Sequence, residues 1–177
     1  GSEMCIRDRY EIVHRTAGQM GAAQLFAAAD DAVKSQKKLF GFFGTKYSHL
    51  AFRTADGIFD PVEGGATSRY EAESYDNADI TENPSLAEMT VAAIKVLSAD
   101  GSPFWLLVEA GDVDWANHDN NIDNSIGAVI SGIEAYQQIS NWVTKHRAWR
   151  DTVIIVTADH GHLLVINDFT VFHRQGD

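Results

Sequence analysis

The apolar positions change period several times along the chain. Tyr10 to His14 is a short candidate strand. Gly21 to Lys38 is Ala-rich, and Ala22, Leu25, Phe26, Ala29 and Val33 fall near helical spacing, which predicts an amphipathic helix. A Gly- and Phe-rich stretch follows, Leu39 to Gly44. Residues 45–80 have no clear period and carry the turn formers Asp60-Pro61, Gly64-Gly65 and Asp76-Asn77. They read as an irregular insertion of the length of a functional or subunit-contact excursion. Ser85 and Glu88 form the capping-box pattern S-x-x-E. Leu86, Met89, Ala93, Val96 and Leu97 then line one predicted helix face, which Asp100-Gly101 stops. Ile122, Ile126, Val129, Ile130, Ile133, Tyr136, Ile139 and Val143 recur at three and four, predicting a long amphipathic helix. Phe104 to Glu109 and Thr152 to Thr157 are continuous apolar runs, and each predicts a strand that leads into an acidic or histidine-rich turn.

The order helix, strand, helix, strand, with both strands apolar throughout, is that of parallel strands covered on both faces, so the fold class is α/β. No internal repeat, low-complexity tract or linker interrupts it. The segment 1–9 has neither period and reads as a cloning scar or a disordered tail; it is set aside. The remaining 10–177 read as one partial domain, with the irregular insertion at 45–80.

Composition changes this picture little. With 177 residues, 45% of them hydrophobic and 22% charged, the chain is ordinary for a soluble domain large enough to bury a core. No apolar run approaches the roughly 20 residues that span a bilayer. The formal charge of -11 lacks the basic footprint of a nucleic-acid binder. The same charge would repel a phosphate ester, so a phosphate site here needs local positive charge of the kind bound metal ions supply. Cys5 is the single cysteine, so no disulfide forms within the chain.

In open α/β sheets, ligands bind beyond the carboxyl ends of the strands, and both predicted strands end in metal-ligand residue types. The first ends at Glu109 and continues through Asp114 to His118; the second runs into Asp159, His160 and His162. Asp114 and His118 are four apart, so on a helical turn they share a face and can grip one ion. Asp159 and His160 are adjacent, where a turn can aim both at a second ion. Imidazole with carboxylate suits zinc, whereas Glu109, an oxygen donor only, suits a harder ion such as magnesium. Taken singly, each has an ordinary reading: a chance Asp-x-x-x-His, a turn with a helix cap, an ion-paired rim glutamate. Their joint placement at one predicted sheet edge favours the metal reading.

Val108-Glu109-Ala110-Gly111-Asp112-Val113-Asp114 with His118 resembles the alkaline phosphatase signature V-E-G-x-x-I-D-x-x-x-H. Val156-Thr157-Ala158-Asp159-His160-Gly161-His162 is similar to that family's V-T-A-D-H-x-H, and Asn83 to Thr90 to its P-S-L-x-E-M-T helix start. The resemblance implies a three-layer α/β/α sandwich with a mostly parallel sheet, here incomplete. It implies two zinc ions and one magnesium ion: Asp114 and His118 on the first zinc, Asp159 and His160 on the second, Glu109 on magnesium. His162 matches a residue that supports the zinc ligands from behind, a role that fixes ligand orientation. Trp115 falls where family members vary near the phosphate, and Trp there resembles the cold-adapted marine bacterial type; a packing aromatic is the other reading.

The family's nucleophile motif, D-S-A, is not in these 177 residues. Its phosphate-binding arginine and the last histidine of its first zinc also have no match, and His173 lies too near His162 to be that histidine. The expectation is therefore a C-terminal portion that holds metal ligands and is inactive alone. The complete protein would hydrolyse phosphate monoesters through a phosphoserine, in the periplasm or outside the cell, with no nucleic-acid or membrane partner and with a homodimer as an open state. The rivals are another enzyme of the same fold, such as a phosphodiesterase, sulfatase or phosphoglycerate mutase, and a non-catalytic metal-stabilised module.

Overall fold

A computed structural model describes residues 8–45, 49–51, 53–59 and 74–163. Most of the segment set aside at the N-terminus, much of 45–80, and His173 lie outside the described residues.

The first unit is β-α-β. Strand β1 (Tyr10–His14) leads through helix α1 (Gly21–Ser35) to strand β2 (Lys38–Phe42), and the strands pair in parallel from Tyr10↔Lys38 to His14↔Phe42. The sequence pattern does not reveal β2, because Gly41 interrupts a run whose side chains stay mostly exposed. Val13, Leu25, Ala28, Ala29, Phe43 and Ala92 form the core, flanked by Phe26, Leu39, Met89 and Val96. A short helix, α2 (Asn77–Thr81), lies within the stretch that has no period. The capping box of helix α3 (Leu86–Leu97) forms as its spacing predicts: the Ser85 hydroxyl accepts from the Glu88 N–H, and the Glu88 carboxylate accepts from the Ser85 N–H at 2.7 Å. The helix ends before Gly101, whose φ of 73° takes the chain out of the helical region.

Arg15 ties this unit together. Its guanidinium donates to Asp79 at 2.7 Å and to Glu82 at 2.9 Å, and Glu82 also accepts from the Gly18 N–H at 2.6 Å. The Gly18 N–H, and after it Arg15, hold the Glu82 carboxyl below the usual carboxylate range.

Helices α4 (Asp112–His118) and α5 (Ile122–Lys145) complete the described elements. The long helix forms over its predicted span, but most of its apolar stripe, Val143 excepted, is not the buried face. Ile122, Ile126, Val129, Ile133 and Tyr136 are exposed, whereas Gly127, Ala128, Ala135 and Val143 are buried. The reason is close approach. A Cβ at Gly127 would collide with the carbonyls of Arg53 and Thr54, so only small residues fit where 53–59 crosses the helix. That segment is held by Arg53, which donates to Glu134 at 2.6 Å, and by the Ala55 N–H, which donates to Asp123 at 2.9 Å.

Gly127→Ala therefore tests the packing. Alanine is the better helix former by about 1 kcal/mol, yet the obstacle is backbone that no rotamer change relieves. Segment 53–59 would have to lift and give up both contacts. The expected net result is a loss of about 1–3 kcal/mol, the cost of overpacking, read by urea unfolding. An unchanged or raised midpoint would show that the segment yields freely.

The two apolar runs differ most from expectation. Residues 101–110 and 152–158 join no ladder among the described residues. Burial still alternates as on a strand with one covered side: Leu106 and Val108 are half-buried, with Trp105 and Leu107 exposed between and beside them. Phe104 meets Trp142 of α5 edge-on, ring centroids 6.0 Å apart. A ladder needs a partner backbone within hydrogen-bond reach, and neither run has one among the described residues. What the described residues form is an α/β arrangement with a small parallel sheet.

Candidate metal centre

The site forms around α4. Asp112 and Asp114 occupy its first turn, where negative charge suits a helix N-terminus, and His118 its last. The helix stops directly after His118 because Asn120 adopts a left-handed conformation, φ 54°. The Asn121 N–H donates to the Ala116 carbonyl at 2.9 Å and the Asn120 N–H to Asn117 at 3.0 Å, the paired bonds of a Schellman ending. Asp114 and His118 thus share one helix face, with His118 Nε2 3.4 Å from Asp114 Oδ2.

The second run delivers two more imidazoles to the same carboxylate. His162 Nε2 lies 2.8 Å from Asp114 Oδ1, and His160 Nε2 lies 3.3 Å from that oxygen. A carboxylate accepts, so in the 2.8 Å contact the His162 nitrogen carries the proton. The rings crowd one another: His162 is 4.7 Å from His118 and 4.8 Å from His160, centroid to centroid. Asp114 is the hub on which three histidines converge.

The donor set fits a metal ion. One donor atom each from Asp114, His118 and His162 lie within 4.8 Å of one another. Two ligands at about 2.0–2.1 Å from one zinc can be at most about 4.2 Å apart, so modest side-chain rotation closes the set on an ion. Two imidazoles and a carboxylate suit zinc or a similar borderline ion.

The other candidates are less assembled. His160 Nε2 is 3.8 Å from Asp159 Oδ2, farther than from Asp114, and the Asp159 side chain is 91% exposed. Glu109 is exposed and stands outside the donor group. Trp115 is an exposed neighbour on α4. A cavity of about 300 Å³ lined by Arg53, Asp79, Glu88, Asp112 and Glu134 lies apart from the histidines; none of its lining residues is a ligand candidate. Sequence spacing does not reveal how close His160 comes to Asp114, because the two residues belong to different predicted strand ends.

A family model described as alkaline phosphatase matches residues 30–175. The chain belongs to the alkaline phosphatase family. Among curated proteins it is 32% identical to the tissue-nonspecific alkaline phosphatase isozyme of Felis catus over 114 residues, 64% of this chain and 20% of that protein. It is 38% identical to alkaline phosphatase 3 of Bacillus subtilis (strain 168) over 77 residues, 44% of this chain and 16% of that protein. It is 30% identical to an alkaline phosphatase of Gadus morhua over 138 residues, 78% of this chain and 25% of that protein. The chain thus spans a quarter or less of the length of these relatives. No helix among its described residues is long and apolar enough to cross a membrane.

Proposed function

We propose that the complete protein hydrolyses phosphate monoesters through a phosphoserine intermediate, and that this chain contributes metal ligands while the serine lies outside its 177 residues. The observation that carries the reading is the convergence of His118, His160 and His162 on Asp114. In this reading Asp114 and His118 serve a first zinc, Asp159 and His160 a second, and Glu109 a magnesium ion. His162 steadies Asp114 through the 2.8 Å contact. Trp115 lies on the substrate side of α4.

Bound metal ions would supply Lewis acidity to the phosphoryl oxygens and positive charge to an otherwise acidic chain. The chain's own part is positional. The helix end at Asn120 sets the Asp114–His118 face, and Asp114 fixes the three rings against one another. Phosphate monoesters as substrates, a homodimer, and a periplasmic or extracellular setting belong to the same proposal.

The test uses the complete protein with a chromogenic phosphate monoester. Hydrolysis is expected with zinc and magnesium, and its loss on chelation and in Asp159→Ala. Cleavage of a phosphodiester or sulfate ester in place of the monoester would transfer the reading to another enzyme of the fold. A second reading, a non-catalytic metal-binding module, applies to the 177 residues alone because they contain no Asp-Ser-Ala.

A further inference from the structure

Helix α5 carries an uncharged face that the described residues leave half open. Asp123 and Glu134 are its only charged residues before Lys145 at its end, and both hold segment 53–59. Another side carries Ile122, Ile126, Val129, Ile133 and Tyr136, each 36–48% exposed. A helix face that meets water is ordinarily charged or polar; this one is apolar over about four turns.

The run 104–109 lies along the adjoining side. Phe104 meets Trp142 at 6.0 Å between ring centroids, and a Cβ at Gly132 would stand 3.1 Å from that of Ala110. The run and the helix therefore point in opposite senses, as a strand and the helix that follows it do in a βαβ unit. Gly132 borders Val129 and Tyr136 at i−3 and i+4, so the open stripe begins where the run's cover ends. A parallel sheet continued sideways from the run would lie on that stripe. The outward residues of the two runs agree. Trp105, Leu107, Val153, Ile155 and Val156 are 69–84% exposed, whereas parallel strands are buried on both faces.

We propose that the stripe of α5 and the open sides of the runs 104–109 and 152–157 are a docking surface for the part of the complete protein outside these 177 residues, which lays at least one parallel strand on it. The inference takes from the reading above only that the complete protein is longer; the relatives share at most 25% of their own length with this chain. A second copy fits less well. Across a two-fold axis it would pair a run with itself in the antiparallel sense, whereas continuous apolar runs are the pattern of parallel strands. Each copy would also bring a formal charge of -11.

The test compares hydrogen exchange in the 177-residue chain and in the complete protein. Amides of 105–108 and 153–156 are expected to exchange freely in the first and to slow by on the order of 1,000-fold or more in the second, where a ladder holds them. Amides inside α1 and α3 should be protected in both, which shows that the shorter chain folds. Ile133→Ala gives a second readout. It should lower the Tm of the complete protein by about 3 °C or more, as cutting back a buried isoleucine does. It should leave that of the 177-residue chain within about 1 °C, because the site there is half open and alanine is the better helix former. Runs unprotected in the complete protein, or an Ile133→Ala loss that is absent there or equal in both, would overturn the inference. So would a dimer of the 177-residue chain, seen by sedimentation, whose runs are already protected. None of these readouts is phosphatase activity. Protected runs in a complete protein that hydrolyses no monoester would sink the proposed function and leave this inference standing; an active protein with unprotected runs would do the reverse.

Discussion

Asp114→Ala is expected to abolish measurable zinc binding by this chain, a loss on the order of 100-fold or more. Outer partners of a metal ligand are worth about 10–100-fold, and Asp114 is more than a partner. It is the one carboxylate that three imidazoles approach, at 2.8, 3.3 and 3.4 Å. Without it His118 and the pair His160 and His162 have no common anchor, and the cluster loses the negative charge that offsets the cation. Asp114→Asn keeps the shape and one oxygen acceptor but not the charge, so an intermediate loss is expected. Competition with a chromophoric chelator at neutral pH reads both, and acidification should weaken the parent because histidine must be neutral to ligate. The Asp114 side chain is 41% exposed, so metal-free stability should change little. Parent-like zinc affinity in Asp114→Ala would remove Asp114 from the site.

The 177-residue chain alone is expected to release no product from a chromogenic phosphate monoester above background, with zinc and magnesium present. Two-metal phosphoryl transfer needs a nucleophile and ions held a few Å apart, about 3.5–4 Å. These residues contain no Asp-Ser-Ala, and Asp159, proposed with His160 for the second ion, has a side chain 91% exposed. Zinc would then be bound without turnover. The decisive comparison is with Asp159→Ala: phosphatase activity in the parent that this substitution abolishes would mean that the chain carries a complete site.

What the sequence determined by itself is local. The S-x-x-E box at Ser85 and Glu88 forms because its partners are three residues apart and meet as soon as the first turn does. The Asp114–His118 pair forms for the same reason, one helical turn apart and closed by an asparagine that tolerates the left-handed region. The three-and-four repeat likewise located α5, since periodicity reports helical geometry directly. Its apolar stripe could not say which side the rest of the chain would cover. That was decided where 53–59 passes against Gly127, a contact some seventy residues distant in sequence. Tertiary structure also decided β2, which exists through its pairing with β1 and not through its own pattern, and among the described residues the runs at 104–109 and 152–157 have no ladder because strand formation depends on a partner. It decided the centre as well. Two motifs separated by 48 positions meet only after the intervening helix has packed, and that meeting set His162, not Asp159, against the Asp114–His118 pair. Bonds within a turn are written in adjacent residues, whereas contacts across the fold depend on the path of everything between them.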